Sequence, residues 1–140
     1  MYSSILVAVD LDEPSSWKKS VPSALSLSRC FAARVTFVYV VPGSVLGIQA
    51  QWSDLGVRHV LDSARTRLSR LADECAESAE VEIYVASGSV YGGILEAAEQ
   101  CGADLIVLAS HRPEMKDYLI GANASRVVRH AGCSVMVVRD

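Results

Sequence analysis

No apolar run in this sequence of 140 residues approaches the roughly 20 residues that a membrane-spanning helix needs, so no span is expected. The first residues, "MYSSILVAVD", lack the basic stretch and cleavage site of a signal peptide and read as the start of a buried strand. Positive charge is scarce too. The formal net charge is -3, which speaks against a nucleic-acid coat, since duplex binders are usually basic. Cys30, Cys75, Cys101 and Cys133 form no CxxC pair, and most sit in apolar surroundings where a small hydrophobe suffices. A reduced cytoplasm is the compartment this usage suggests. His59, His111 and His130 come with no HExxH or clustered acids, so no metal site of protein ligands is expected. There is no GxxxxGK[ST] phosphate loop, no GxGxxG dinucleotide fingerprint and no GxSxG nucleophile elbow.

What the sequence does contain is five short apolar runs separated by helical patterns. The runs are Ser4 to Asp10, Arg34 to Val41, Val81 to Ser87, Asp104 to Ser110 and Ser134 to Arg139. Each is continuous rather than alternating, as expected of strands buried on both faces. Between the first two, Trp17, Val21, Ala24, Leu25 and Ser28 fall on one helical face, with Pro22 forcing a kink or a late start. Pro42 and Gly43 are expected to stop the second strand, and "GSVLGIQAQWS" reads as a loop. Val57, Leu61, Ala64, Leu68, Leu71 and Cys75 recur at steps of four and three, with Arg58, Asp62, Arg65, Arg70, Asp73 and Glu77 between them. That is an amphipathic helix made to cover a sheet. A third helix is capped by Ser89 and stopped by Gly102, and a short fourth one should turn Val127, Val128 and Ala131 inward. Strands alternating with helices predict one α/β domain over residues 1–140, an open parallel sheet with right-handed crossovers.

In such sheets a ligand settles beyond the carboxyl ends of the strands, where the strand order reverses. Candidate positions are therefore Asp10, Val40 and Val41, Ser87 to Ser89, and the long connection "ASHRPEMKDYLIGANAS" from Ala109 to Ser125. In that connection, Gly121, Ala122, Asn123 and Ala124 lead into a helix whose free N–H groups suit a phosphate, with Arg112 and Lys116 as added charge. The plainer alternative is a surface turn in which Asn123 caps the helix and the charges are solvated. Asp10 has two readings, a hydrogen-bond acceptor for ribose or adenine or a simple turn cap, and taken alone it favours the cap. Arg129 and His130 end a helix, where the dipole favours positive charge. Ser110 beside His111 makes no nucleophile pair, because adjacent residues on an extended chain point apart.

The segments "ILVAVD", "VTFVYVV", "ASGS", "DLIVLASHRP", "YLIGANASRVVRHAGCSV" and "MVVR", in this order and spacing, resemble the universal stress protein family over essentially the whole chain. "SHRP" with "GANASRVVRHA" is most similar to its small bacterial members of types F and G. The resemblance implies a five-stranded parallel sheet of order 3-2-1-4-5 with helices on both faces, of the adenine nucleotide alpha hydrolase-like kind. It implies ATP or AMP at the switch point, near Ala8, Val9 and Asp10, with the Val40 backbone on the adenine edge. Ala109, Ser110 and His111 would also line the nucleotide, and phosphates would fall to Gly121, Ala122, Asn123 and Ala124, helped by Arg112, with Mg²⁺ bound through them. The family's nucleotide pattern is G-x-x-G, nine residues, then G-[ST]. Ala109, Arg112 and Ala122 depart from it, and the spacer before Gly121 is one residue short. The resemblance also implies a homodimer through the last strand, Ser134 to Arg139. Function is then expected to be that of a stress-response regulator or sensor with little or no turnover. The alternatives are a nucleotide-free dimeric stress protein, a slow ATPase or phosphotransferase, and an FMN-binding flavodoxin-like protein.

Overall fold

Ile5, Leu6 and Val7 are fully buried in the strand Ser4–Ala8 (β1). A run with no polar alternation is satisfied only inside a sheet covered on both faces, and β1 lies at the centre of one. The computed structural model describes residues 1–50, 54–76, 79–110 and 122–139. In these, β1 is followed by a short 3-10 turn (Pro14–Ser16), α1 (Ser20–Phe31), β2 (Arg34–Pro42), α2 (Gly43–Ala50), α3 (Asp54–Cys75) and β3 (Val81–Gly88). Then come α4 (Val90–Gln100), β4 (Leu105–Ala109), α5 (Ala122–His130) and β5 (Ser134–Val138). The sheet order is β3-β2-β1-β4-β5, as expected, and the pairs run parallel.

Alternation along each strand sorts the core into two layers. Ile5, Val7, Val35, Phe37, Leu105 and Val107 pack with Val21, Ala24 and Leu25 of α1 and Leu68, Leu71 and Ala72 of α3. Leu6, Val38, Val40, Ile106 and Leu108 face the other way, onto Ile94, Ala97 and Ala98 of α4 and Ala124 and Val127 of α5. Each fully buried Leu, Ile or Phe contributes about 1.5–3 kcal/mol to such a core.

Several expectations change in detail. Residues Gly43–Ala50 form helix α2 and not a loop. Its apolar residues give no one-sided period to recognise, since Val45 and Ile48 are exposed. β2 runs through Pro42, paired with Gly88 of β3, so Val40 and Val41 lie inside the strand. α1 starts at Ser20, which puts Pro22 in the first turn and leaves Trp17 ahead of the helix, still packed on the core. Ser89 occupies the cap position of α4 without a side-chain cap bond, and Gly102 ends the helix at φ 62°. Val128 is exposed, and Ala124 takes the inward place expected for it. β1, β4 and β5 are shorter than read, so Asp10, Asp104, Ser110 and Arg139 flank strands and do not lie in them.

Asp104 has a structural task that its sequence position did not announce. Its carboxylate accepts from the Ser3 N–H (2.9 Å), the Ser3 hydroxyl (3.0 Å) and the Ser4 N–H (3.0 Å). Its own N–H donates to the Ser4 carbonyl at 2.9 Å. The start of β1 is thereby fastened to the start of β4. The backbone N–H of Ser3, then that of Ser4, hold the Asp104 carboxyl below its ordinary value. A depressed folded pKa means stabilisation that is present above the unfolded pKa and lost as pH falls through the folded one. Asp104→Asn should therefore melt below the wild type at neutral pH, with the gap closing in acid. A gap that stays constant through the acid range would refute this role.

Candidate functional site

β1 and β4 are neighbours in the sheet, yet α1 leaves β1 for one face and α5 follows β4 on the other. Their carboxyl ends therefore open a cleft, a cavity of about 740 Å³. Its floor is Ala8, Val9 and Asp10 after β1, Val38 to Pro42 of β2, and Leu108 and Ala109 of β4. Asn123 and Ala124 of α5 and Val90 and Ile94 of α4 form one wall. His59, Val60, Ser63, Ala64 and Arg67 of α3 form the other, with Val45 of α2 and Asp12, Glu13 and Ser16 of the loop after β1 at the mouth.

The backbone of β2 is open there for a simple reason. Val9 donates its N–H to the Val38 carbonyl at 2.9 Å, so Val38 faces β1. Val40, two residues on, faces the same way, but β1 has by then left the sheet. The N–H and C=O of Val40 thus look into the cleft, while its side chain is buried beneath α4.

Asp10 does cap its turn. Its Oδ1 accepts the Asp12 N–H at 3.0 Å, its carbonyl accepts the Glu13 N–H at 3.0 Å, and its own N–H donates to Ser16 Oγ at 2.8 Å. That uses one carboxylate oxygen. Asp10 is exposed, and among the described residues no hydrogen bond engages its Oδ2. The turn holds the carboxylate in place while leaving an acceptor to offer.

Of the site residues expected from sequence, Ala8, Val9, Asp10, Val40, Ala109, Asn123 and Ala124 line this one cleft. Ser110 does not line it. Its N–H donates to the Val138 carbonyl at 2.8 Å, which prolongs the β4–β5 ladder. Ala122 is exposed at the start of α5 and is also not in the lining. Asn123 lies within the first turn of α5, one residue past its start, and is not its cap. His111, Arg112 and Gly121, with Glu114, Lys116 and Asp117, lie outside the described residues.

The sequence reading missed the wall made by α3. His59, Ser63 and Arg67 recur every four residues, so they share one helical face beside the buried Ala64, Leu68 and Leu71. Arg67 Nη2 donates to Asp12 Oδ1 at 3.1 Å and to the Leu11 carbonyl at 3.3 Å. Tyr39, on β2, lines the cleft close to the same charges. Burial, then the carboxylates of Asp12 and Asp10, push its phenol up, and the Arg67 guanidinium opposes them.

These features define a class, the open parallel α/β domains that take a ligand at the switch point of the sheet. Within that class, the chain belongs to the universal stress protein family, whose model matches residues 1–139. Universal stress protein G of Shigella flexneri is 32% identical over 143 residues, spanning 99% of this chain and 100% of that protein. A solved universal stress protein in complex with cAMP shares the fold at TM-score 0.63 and 18% identity, covering 99% of this chain and 97% of that one. The universal stress protein of Archaeoglobus fulgidus in complex with dAMP does so at TM-score 0.62 and 20% identity, with 97% of each chain covered.

Gly93 of α4 sets the depth of the cleft at Val40. A Cβ there would lie 2.7 Å from both Val40 methyl groups and 3.1 Å from Ala86 Cβ. Gly93→Ala must push α4 off β2, and overpacking of this kind costs about 1–3 kcal/mol. A lower urea midpoint is expected, and an unchanged midpoint would show that the helix moves freely.

Proposed function

We propose that the cleft binds an adenine nucleotide, AMP or ATP, and that the protein acts as a nucleotide-dependent regulator or sensor in the stress response. The observation that carries this reading is the pairing of an open Val40 backbone with the unengaged Oδ2 of Asp10 on the floor of one cavity. An adenine edge presents a donor and an acceptor side by side, which a free C=O and N–H match. A ribose presents hydroxyl donors, which a carboxylate oxygen matches. The N–H groups of the first turn of α5, at Asn123 and Ala124, then face the phosphates with the helix dipole behind them. Mg²⁺, where present, is held mainly by those phosphates. Arg112 and Gly121 are assigned to the phosphate end by the family pattern. The complexes of two structural relatives with cAMP and dAMP support an adenine ligand. The reading is that of a binder, set in a reduced cytoplasm that suits four unpaired thiols.

Identifying the nucleotide released when the purified protein is denatured tests this directly. AMP or ATP supports it, and FMN or an empty protein that binds neither adenine nucleotide overturns it. Asp10→Asn keeps an acceptor for the Asp12 N–H while replacing the offered oxygen with a donor. Losing one hydrogen bond costs about 0.5–1.5 kcal/mol, a several-fold weaker affinity by calorimetry. Equal affinity in wild type and mutant would remove Asp10 from the site.

The same reading includes a homodimer through β5. That strand is at the sheet edge and pairs on one side with β4. Val135, Met136, Val137 and Val138 are each partly exposed, and an uncovered apolar edge is a template for another strand. The Val138 carbonyl faces β4, through its bond with Ser110, so the N–H of Val137 faces outward. Val137→Pro removes an outward donor without touching the β4 ladder and should give a folded monomer. A wild type that scatters light as a monomer at micromolar concentration would end the dimer reading.

A further inference from the structure

The loop that carries Asp10 is tied to itself by bonds between Asp10 and Ser16 in both directions, from Asp12 and Glu13 to Asp10, and from Ser16 to Glu13. None of these fixes the loop against the rest of the cleft. Arg67 does so, from 55 residues away on α3, through the Asp12 carboxylate and the Leu11 carbonyl. Both contacts come from a single guanidinium nitrogen, and they fall on the side chain of the residue whose N–H reaches Asp10 Oδ1 and on the carbonyl of the same peptide. The charges reinforce the geometry. Asp10, Asp12 and Glu13 put three carboxylates on one short loop, and Arg67 pairs with the middle one. Without it, the repulsion of Asp12 with Asp10 and Glu13 loses the counter-charge of that guanidinium, and the loop has reason to open.

We infer that Arg67 is a positioning residue: by clamping Asp12 it holds the Oδ2 of Asp10 toward the cleft, and so sets how strongly the site prefers a sugar with free hydroxyls. This rests on the adenine-nucleotide reading and assigns to α3 a part in ligand selectivity. The pair is exposed, 47% at Arg67 and 69% at Asp12. An exposed pair carries a small coupling, which corresponds to a change in ligand preference of about two- to fivefold.

The readout is the ratio of affinities for AMP and for 2′,3′-dideoxyadenosine monophosphate, measured by calorimetry. Wild type should favour AMP. Arg67→Ala should cut that preference by about two- to fivefold while leaving the dideoxy ligand nearly unaffected, and Arg67→Lys should restore most of it. Asp12→Asn should act like Arg67→Ala, and the double variant should lose no more than either single one. An unchanged ratio, or an equal loss for both ligands, overturns the inference, because Arg67 would then be idle or in contact with another part of the ligand. Hydrogen exchange at the Asp12 N–H in the ligand-free protein supplies the second measurement. Faster exchange in Arg67→Ala supports the clamp, and unchanged exchange overturns it. Wild type that binds neither ligand sinks the nucleotide reading, and the exchange experiment then judges the clamp by itself.

Discussion

The cleft depends on one topological constraint, the reversal of direction at β1. From β1 the chain steps outward to β2 and β3, then crosses back to β4 and β5 on the other side. Right-handed crossovers require the two halves to place their helices on opposite faces. α1 and α3 go to one face, α4 and α5 to the other. No helix can then cover the edge between β1 and β4, where the two sets diverge. The cavity is what the crossover rule leaves behind.

A parallel sheet must be anchored at its amino edge if its carboxyl edge is to stay open. Asp104 does this from the β4–β5 side of the reversal, by gathering the N–H groups of Ser3 and Ser4 and returning its own to Ser4. Arg34 adds a bond from its N–H to the Ser3 carbonyl at 3.0 Å, so β2 and β4 are both registered on the first residues of β1. With that end closed by backbone and carboxylate bonds, β1 can stop at Ala8 while β2 continues to Pro42. The resulting difference in strand length exposes the Val40 backbone. A structural acid at one edge of the sheet and an open cleft at the other are consequences of the same registration.

The sheet was legible because its strands are unbroken apolar runs, and α3 because its apolar residues keep a helical period. α2 was not legible. Its apolar side chains face outward at the mouth of the cleft, so no periodic stripe marks it. Asp10, Val40 and Ala109 were placed at the cleft by the rule that ligands sit toward the carboxyl ends of strands, which needs only approximate strand boundaries. His59, Ser63 and Arg67 escaped because, on an amphipathic helix, polar residues beside the buried stripe look like a solvated flank. Their repetition at four-residue steps was present in the sequence. What gave it meaning was the loop after β1 folding over them, a long-range contact that no local pattern encodes. Ser110 failed for the opposite reason, since it stands in the right stretch but its backbone is taken up by β5.

Charge gives the cleft a direction. At the β1 end, Asp10, Asp12 and Glu13 set three carboxylates against the guanidinium of Arg67, and the phenol of Tyr39, pushed up first by burial, is pushed up further by Asp12 and Asp10. At the β4 end, Asn123 and Ala124 belong to the first turn of α5, where unpaired N–H groups and the helix dipole carry positive charge. A ligand with an anionic group and a hydroxyl-bearing group is therefore not free to enter either way round. An anionic group in the cleft would be repelled from the loop after β1 and drawn to α5, and the carboxylates of that loop offer acceptors to hydroxyls. Arg67 limits the repulsion without cancelling it, because its guanidinium is spent on Asp12 and the Leu11 carbonyl. The Arg67–Asp12 pair thus leaves the net charge of this loop negative.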